Sequence, residues 1–408
     1  MTTLIRARTL LDGTGAPAIH DAAVVVDGDR IVFVGAESAA RAAHPSVDDE
    51  IDAGDGVLMP GLIDGHCHVV GTWKEIDPRS PGYRERVVLW GAGGAQAALA
   101  AGITTVVDCG APEDTSLILR DAIAAGHVVG PRVLACGPSL TTTAGHGDYL
   151  GIAALADNAD ELRKQARRWI RNGADFVKIM ASGGSADPPS IRRRAQYTVE
   201  ELRHAVEDVH RLRRRVVAHC NATEGIRNAV AAGVDVVAHC NWLGCDEGVV
   251  EYDDAVARQM GAQGTMVDLN GGGLGQLMPG EGTTQGWHEA ELPKRRWDII
   301  NYMRQEHGVR VYLTTDALGA GIAGLTGVLT RFARQTDVSP IEVLRMATQL
   351  PAIGVGVGDE VGTVEVGKLA DLVVMAGDPS DDPANFGRAR LVIKGGKVVA
   401  RDGAIVPA

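Results

Sequence analysis

Long apolar runs are missing from this sequence. No stretch approaches the roughly 18 residues that a membrane helix needs, and the opening MTTLIRARTLLDG has no charged segment followed by an apolar one. A basic surplus is missing too: the formal net charge is -12. Nucleic acid and anionic membrane both ask for a concentrated basic surface, and the densest basic runs, RRWIR and RLRRR, read as solvated helix faces. Cysteine is scarce and irregularly spaced, six in 408 residues, mostly inside apolar runs. That excludes a disulfide framework and leaves reduced, buried thiols. Two glycine signatures are also absent. No GxGxxG follows the first strand, and the Gly-rich stretch 269–289 carries no Gly-Lys-Ser/Thr. The expectation is a folded cytoplasmic protein that acts on a small molecule, with no nucleic-acid or membrane partner.

What is present is rhythm. With 45% hydrophobic residues the chain is able to bury a large core. Between Val57 and Ala317, eight short apolar runs alternate with helical patterns: VLMPGLIDGHCHV, TTVVDCG, RVLACG, DFVKIM, RVVAHC, DVVAHC, GTMVDLN and VYLTTDA. Continuous apolar runs of this length are what parallel strands buried on both faces look like. Helix starts are marked at Asn158 with Glu161, Thr198 with Glu201, and Ser339-Pro340 with Glu342. AG and NG stops precede several strands. Eight alternations over this length predict an α/β fold, a TIM-like (β/α)8 barrel occupying 57–359. The ends differ: residues 1–56 and 360–408 read as strands with Asp-Gly and Gly-Gly turns. Neither end makes a stable domain alone, so the two are expected to pair into one small discontinuous β-sandwich.

The polar residues on the strands carry the chemistry. Successive strand side chains alternate faces, so His66 and His68 point together and Cys67 points away. The sequence VVAHCN occurs twice, at 216–221 and 236–241, and in each copy parity sends His219 or His239 inward and Cys220 or Cys240 toward the helices. A lone inward His is usually a satisfied core residue. Four of them at strand ends repel if charged and leave unpaired lone pairs if neutral. A divalent cation resolves this most economically, with Asp316 in LTTDA supplying a carboxylate. Binding through Cys67, Cys220 and Cys240 instead requires every strand to be turned over. Lys178, in FVKIMASGG, sits in a buried run. It either pairs with a carboxylate or reaches solvent, or it loses its proton beside a metal and takes up carbon dioxide as a carbamate.

The run MPGLIDGHCH, the Lys of DFVKIMASGG, the two VVAHC strands, the Asp of LTTDA and the closing GKLADLVVMAGDP together resemble the amidohydrolase superfamily. Within it the likeness is to imidazolonepropionase-related and prolidase-like hydrolases. The resemblance implies a split β-sandwich and a centre of two divalent metals, zinc the expected identity. His66 and His68 with Asp316 would hold one ion, His219 and His239 the other, and N6-carboxylated Lys178 would bridge them. It also implies cleavage of an amide-type C–N bond by a hydroxide bridging the metals, with Asp316 moving the proton, and an assembly of several copies. The substrate classes it covers are N-acyl amino acids, dipeptides, aryl amides, carbamates and ureas.

Loops define the substrate side. TTTAGHGDYLG places His146 between glycines, and the resemblance gives it a contact with the substrate carbonyl; Asp148 and Tyr149 are expected at the same mouth. Asn241 and Trp242, in CNWLG, follow the sixth strand as expected substrate contacts, where the dipeptidase branch would carry a Tyr. SIRRRAQY offers Arg192, Arg193 or Arg194 to a substrate carboxylate, Arg192 first among them, against the plainer reading of an exposed basic loop. The stretch 269–289 is long enough for a lid, with Trp287 and His288 at its far end. The alternative enzyme is a mononuclear cyclic-amide or imine hydrolase or deaminase of the imidazolonepropionase kind. Those usually lack the strand-four Lys and keep a Glu a few residues after a metal His, whereas Glu224 lies five residues beyond His219. A metal-free scaffold would not be expected to keep all six ligands.

Overall fold

The computed structural model describes residues 1–71, 76–270 and 291–406, with backbone alone for 291–295. The strands are β1 Thr2–Leu10, β2 Ile19–Asp27, β3 Arg30–Ala36, β4 Asp49–Asp52, β5 Val57–Pro60, β6 Leu62–Cys67, β7 Ile103–Asp108, β8 Arg132–Ala135, β9 Ser139–Thr141 and β10 Ala153–Leu155. They continue as β11 Val177–Met180, β12 Val216–Ala222, β13 Val236–Leu243, β14 Met266–Asn270, β15 Val311–Thr314, β16 Leu372–Met375, β17 Ala389–Lys394, β18 Lys397–Arg401 and β19 Ala404–Ile405.

Each of the eight apolar runs is a strand. The first is divided at Gly61 into β5, in the sheet formed by the chain ends, and β6, which pairs with β7; a side chain at 61 would collide with Thr104. Pairing among the central strands is parallel and falls into two sheets, β6-β7-β8 and β10-β9-β11-β12-β13-β14-β15. A closed eight-stranded ladder is therefore not formed. Hydrogen bonds just beyond the strand ends span the two seams: Asp175 N–H donates to Ala135 O at 2.9 Å, and Asp316 N–H donates to His66 O at 2.9 Å. The chain reverses by left-handed glycines at the expected stops, Gly102, Gly173 and Gly233. Asn158 caps the helix Ala159–Arg171, and Thr198 with Glu201 forms a reciprocal capping box on Val199–Arg211. Ser339 caps Pro340–Met346. Leu162, Ala166 and Trp169, on one stripe of their helix, are buried against the strands.

The two ends of the chain meet in one mixed sheet of nine strands, ordered β19-β18-β17-β16-β5-β1-β2-β3 with β4 on β1. The two ends do pair: β16 runs antiparallel to β5 and joins the C-terminal hairpins to the N-terminal meander in one hydrogen-bonded sheet, to which Val57–Pro60 contributes. An apolar cluster including Ile5, Leu10, Val24, Leu58, Leu372 and Ile393 lies against this sheet, and a larger one fills the space between the parallel strands and their helices. No described helix is long and apolar enough to cross a membrane.

Candidate metal centre and substrate cavity

Strand ends deliver the donors. His66 lies on β6 and His68 just beyond it, Lys178 on β11, His219 on β12, His239 on β13, and Asp316 two residues past β15. All six line one cavity of about 680 Å³. Cys67, Cys220 and Cys240 are buried outside it, as parity requires, and the Cys67 thiol donates to Val107 O at 3.4 Å. The backbone is bent to aim two donors: His239 and Asp316 hold φ of +67° and +54°, a region that side chains other than glycine rarely occupy.

His66 Nε2 and His68 Nε2 stand 3.5 and 3.4 Å from Asp316 Oδ1. Among the described residues these three supply the single group of metal-type donors, all within 4.8 Å of one another. His239 Nδ1 lies 4.0 Å from the other Asp316 oxygen. Lys178, 1% exposed, makes no ion pair among the described residues and reaches His66 Nε2 at 3.2 Å. His219 stands one ring further out. Its ring is 4.5 Å from that of His239, and its Nε2 faces Gly183 O at 3.2 Å and Asn221 Nδ2 at 2.8 Å.

A second layer fixes these groups. His66 Nδ1 pairs with Asp268, which also accepts from the Thr314 hydroxyl at 2.5 Å, and His68 Nδ1 faces Gly110 O at 2.9 Å. Both imidazoles are thereby turned with Nε2 toward Asp316, the arrangement that orients metal-binding histidines. Burial drives His239 down to about 3 and His219 well below the usual imidazole range, so both are neutral and have lone pairs to give. Burial alone would lift Asp316, but the imidazoles of His66, His239 and His68 overturn it and hold the carboxyl well below its usual range. Two neutral imidazoles, His239 and His219, close to an ionised Asp316 suit a divalent cation.

On the substrate side, His146 lines the cavity with its ring 4.4 Å from that of His219. Its Nδ1 lies 2.7 Å from Asp187 Oδ2, and its N–H donates to Gln196 Oε1 at 2.7 Å. Tyr149 lines the mouth and is 74% exposed; Asn241 and Arg192 also line the cavity. Trp242 does not. It is 0% exposed and packs edge-on against Tyr252 at 5.2 Å, because β13 extends to Leu243 and Trp242 points to the face opposite His239 and Asn241. Arg193 and Arg194 turn to Gly244 O and Cys245, and Asp148 accepts from Ala144 N–H at 2.9 Å. Residues 271–290, with Trp287 and His288, lie outside the described residues.

Four site residues escaped the sequence reading. Asp268 was legible: an Asp inside the buried run GTMVDLN is as costly as Lys178 in its own. Asn270, which donates to Asp316 Oδ2 at 3.0 Å, ends the same run. Asp187 and Arg296 had no local signal, since nothing in SADPPS or PKRRW conflicts with its neighbours.

Comparison with known proteins agrees with this geometry. The model of the amidohydrolase family matches residues 57–399. Ochratoxinase of Aspergillus niger is 28% identical over 97% of this chain and 86% of its own, and its crystal structure superposes with a TM-score of 0.83 at 26% identity, covering 98% and 96% of the two chains. An imidazolonepropionase of Bacillus velezensis is 25% identical over 94% of this chain and 91% of its own. A prolidase crystallised with N-methylphosphonate-L-proline is 27% identical with a TM-score of 0.83, covering 98% and 100%. The chain belongs to the amidohydrolase family and is a hydrolase acting on carbon–nitrogen bonds.

Proposed function

We propose that this protein is a metal-dependent hydrolase that cleaves an amide-type C–N bond in an N-acyl amino acid, dipeptide, aryl amide, carbamate or urea. The observation that carries the reading is the convergence of His66, His68 and Asp316 beside the buried Lys178, which makes no ion pair among the described residues. His66, His68 and Asp316 would hold one divalent ion, expected to be zinc, and His219 and His239 a second. Lys178, as a carbamate formed from its neutral amine and carbon dioxide with loss of a proton, would join them. When bound, the ions supply Lewis-acid polarisation of a carbonyl and acidify water near neutral pH.

The chain's own residues do the rest. Asp316, ionised and fixed by the Asn270 amide, accepts a proton from the attacking water and returns it to the leaving nitrogen. His146, held by Asp187, presents its remaining ring nitrogen to the cavity for the substrate carbonyl. We read the two parallel sheets as the halves of a (β/α)8 barrel, and the enzyme as a cytoplasmic homo-oligomer.

Protein prepared without chelator is expected to carry close to two metals per chain and to hydrolyse members of that substrate panel, with Asp316→Asn lowering turnover by about 10³-fold or more. A reproducible content near one metal would transfer the protein to the alternative, a mononuclear cyclic-amide or imine hydrolase or deaminase. The engagement of His219 with Gly183 and Asn221 is the observation that favours that alternative.

A further inference from the structure

Three guanidinium groups that the hydrolytic machinery does not use line the cavity, and one of them, Arg79, is paired with Asp77. Arg192 enters the cavity from the segment after β11, and Arg296 from the helix Glu291–His307. Among the described residues Arg296 has only neutral acceptors, His239 O at 2.6 Å and Asn270 Oδ1 at 3.3 Å, its buried Nε has no partner, and it makes no ion pair. The carboxylates that line the same cavity are engaged elsewhere: Asp316 with the histidines and Asn270, Asp77 with Arg79. Two cations facing one cavity repel. Burial pushes both guanidiniums down to about 10, and the Arg296 charge adds to the effect on Arg192. A buried Arg without a counter-charge costs stability unless a ligand brings the missing anion.

Its position says where on the ligand that anion lies. Asn270 accepts from Arg296 through Oδ1 and donates to Asp316 through Nδ2, so a single amide separates the guanidinium from the carboxylate that serves the leaving nitrogen. An anion bound to Arg296 therefore sits beside the scissile bond, on the leaving-group side.

We propose that Arg296, seconded by Arg192, binds a substrate carboxylate, and that the natural substrates are N-acyl α-amino acids or dipeptides carrying a free carboxylate on the carbon next to the scissile nitrogen. This deepens the hydrolase reading above and rests on it. It sets aside ureas, aryl carbamates and simple aryl amides, which bring no anion to that position. A planar guanidinium is the group suited to bind a carboxylate through two parallel hydrogen bonds.

The test compares a panel of N-acetyl-L-amino acids with their α-carboxamides, by turnover and by calorimetric binding to the metal-loaded protein. The acids are expected to be favoured by about 10- to 100-fold, the range of a charge-assisted hydrogen bond. Arg296→Gln brings that ratio close to one, chiefly through KM, while Arg296→Lys keeps part of it; metal content measured on each variant checks its fold. Equal handling of acid and amide by the native protein overturns the proposal, as does failure of the panel to bind. So does an Arg296→Gln variant of normal metal content that lowers acid and amide alike. The two readings separate cleanly: acid-selective binding without turnover sinks the hydrolysis and leaves the carboxylate site, whereas turnover of acids and amides alike does the reverse.

Discussion

At the scale of single residues, the site is organised by pairs in which one member does the chemistry and the other aims it. Asp187 is the clearest. Burial would raise its carboxyl, yet the His146 ring and the Gly147 N–H overturn that and hold it low, so it stays an acceptor for His146 Nδ1. Asp187→Asn is expected to reduce kcat by about 10- to 100-fold with a smaller change in KM, the scale seen when the partner of an oriented histidine is lost. In the double variant with His146→Asn the losses should not add, since both changes disable one unit. Full additivity would show that Asp187 acts elsewhere. The residues legible in the sequence were those whose chemistry conflicts with their local pattern: four inward histidines, and a Lys in an apolar strand. Asp187 and Arg296 conflict with nothing nearby, so their roles emerge only when distant segments are brought together.

Elements explain why the strand-borne half of the site was easy to anticipate and the loop-borne half was not. A strand has a strict two-residue alternation, so one correct strand assignment at β6, β12 or β13 orients His and Cys at once. After the strand ends that rule lapses. Trp242 shows the rule reaching further than expected: β13 runs on to Leu243, so with His239 and Asn241 facing the cavity, alternation sends Cys240 and the indole of Trp242 into the core. Helices, by contrast, are placed by close backbone approach. Gly94, on the helix Tyr83–Ala100, lies so near the turn Gly319–Gly324 that an added Cβ would come within 2.5 Å of the Gly319 backbone. That turn begins three residues after Asp316. Gly94→Ala is accordingly expected to cost about 1–3 kcal/mol, as overpacking does, and to lower metal affinity by displacing the Asp316 segment. Denaturant unfolding and metal titration would check the two parts, and an unchanged midpoint would refute the packing argument.

For the whole molecule, the alternation of apolar runs and helical patterns was enough to announce a parallel α/β fold, because burying a strand on both faces leaves a mark in every residue of it. The seams between the sheets and the single mixed sheet at the ends left no such mark. They depend on which edges meet, and edge choice is a property of the assembled chain. Removing residues 372–408 should uncover the edge of β5 and the apolar cluster shared by Leu58, Leu372 and Ile393. The truncated protein is expected to be recovered as aggregate, in a sedimentation assay that leaves the full chain in the supernatant. A monomeric, metal-loaded truncation would show the sheet to be dispensable. The same β5–β16 seam also sets a timetable for biosynthesis. β5 leaves the ribosome with its neighbours β1 to β4, but the strand that seals its edge is made about 300 residues later. At about 5–20 residues per second that is a wait of roughly 15 to 60 s, during which a nascent chain carries an open sheet edge. Neighbouring chains on one messenger are then competitors for that edge, so the yield of this enzyme should depend on how fast it is translated and on what shields its first 60 residues meanwhile.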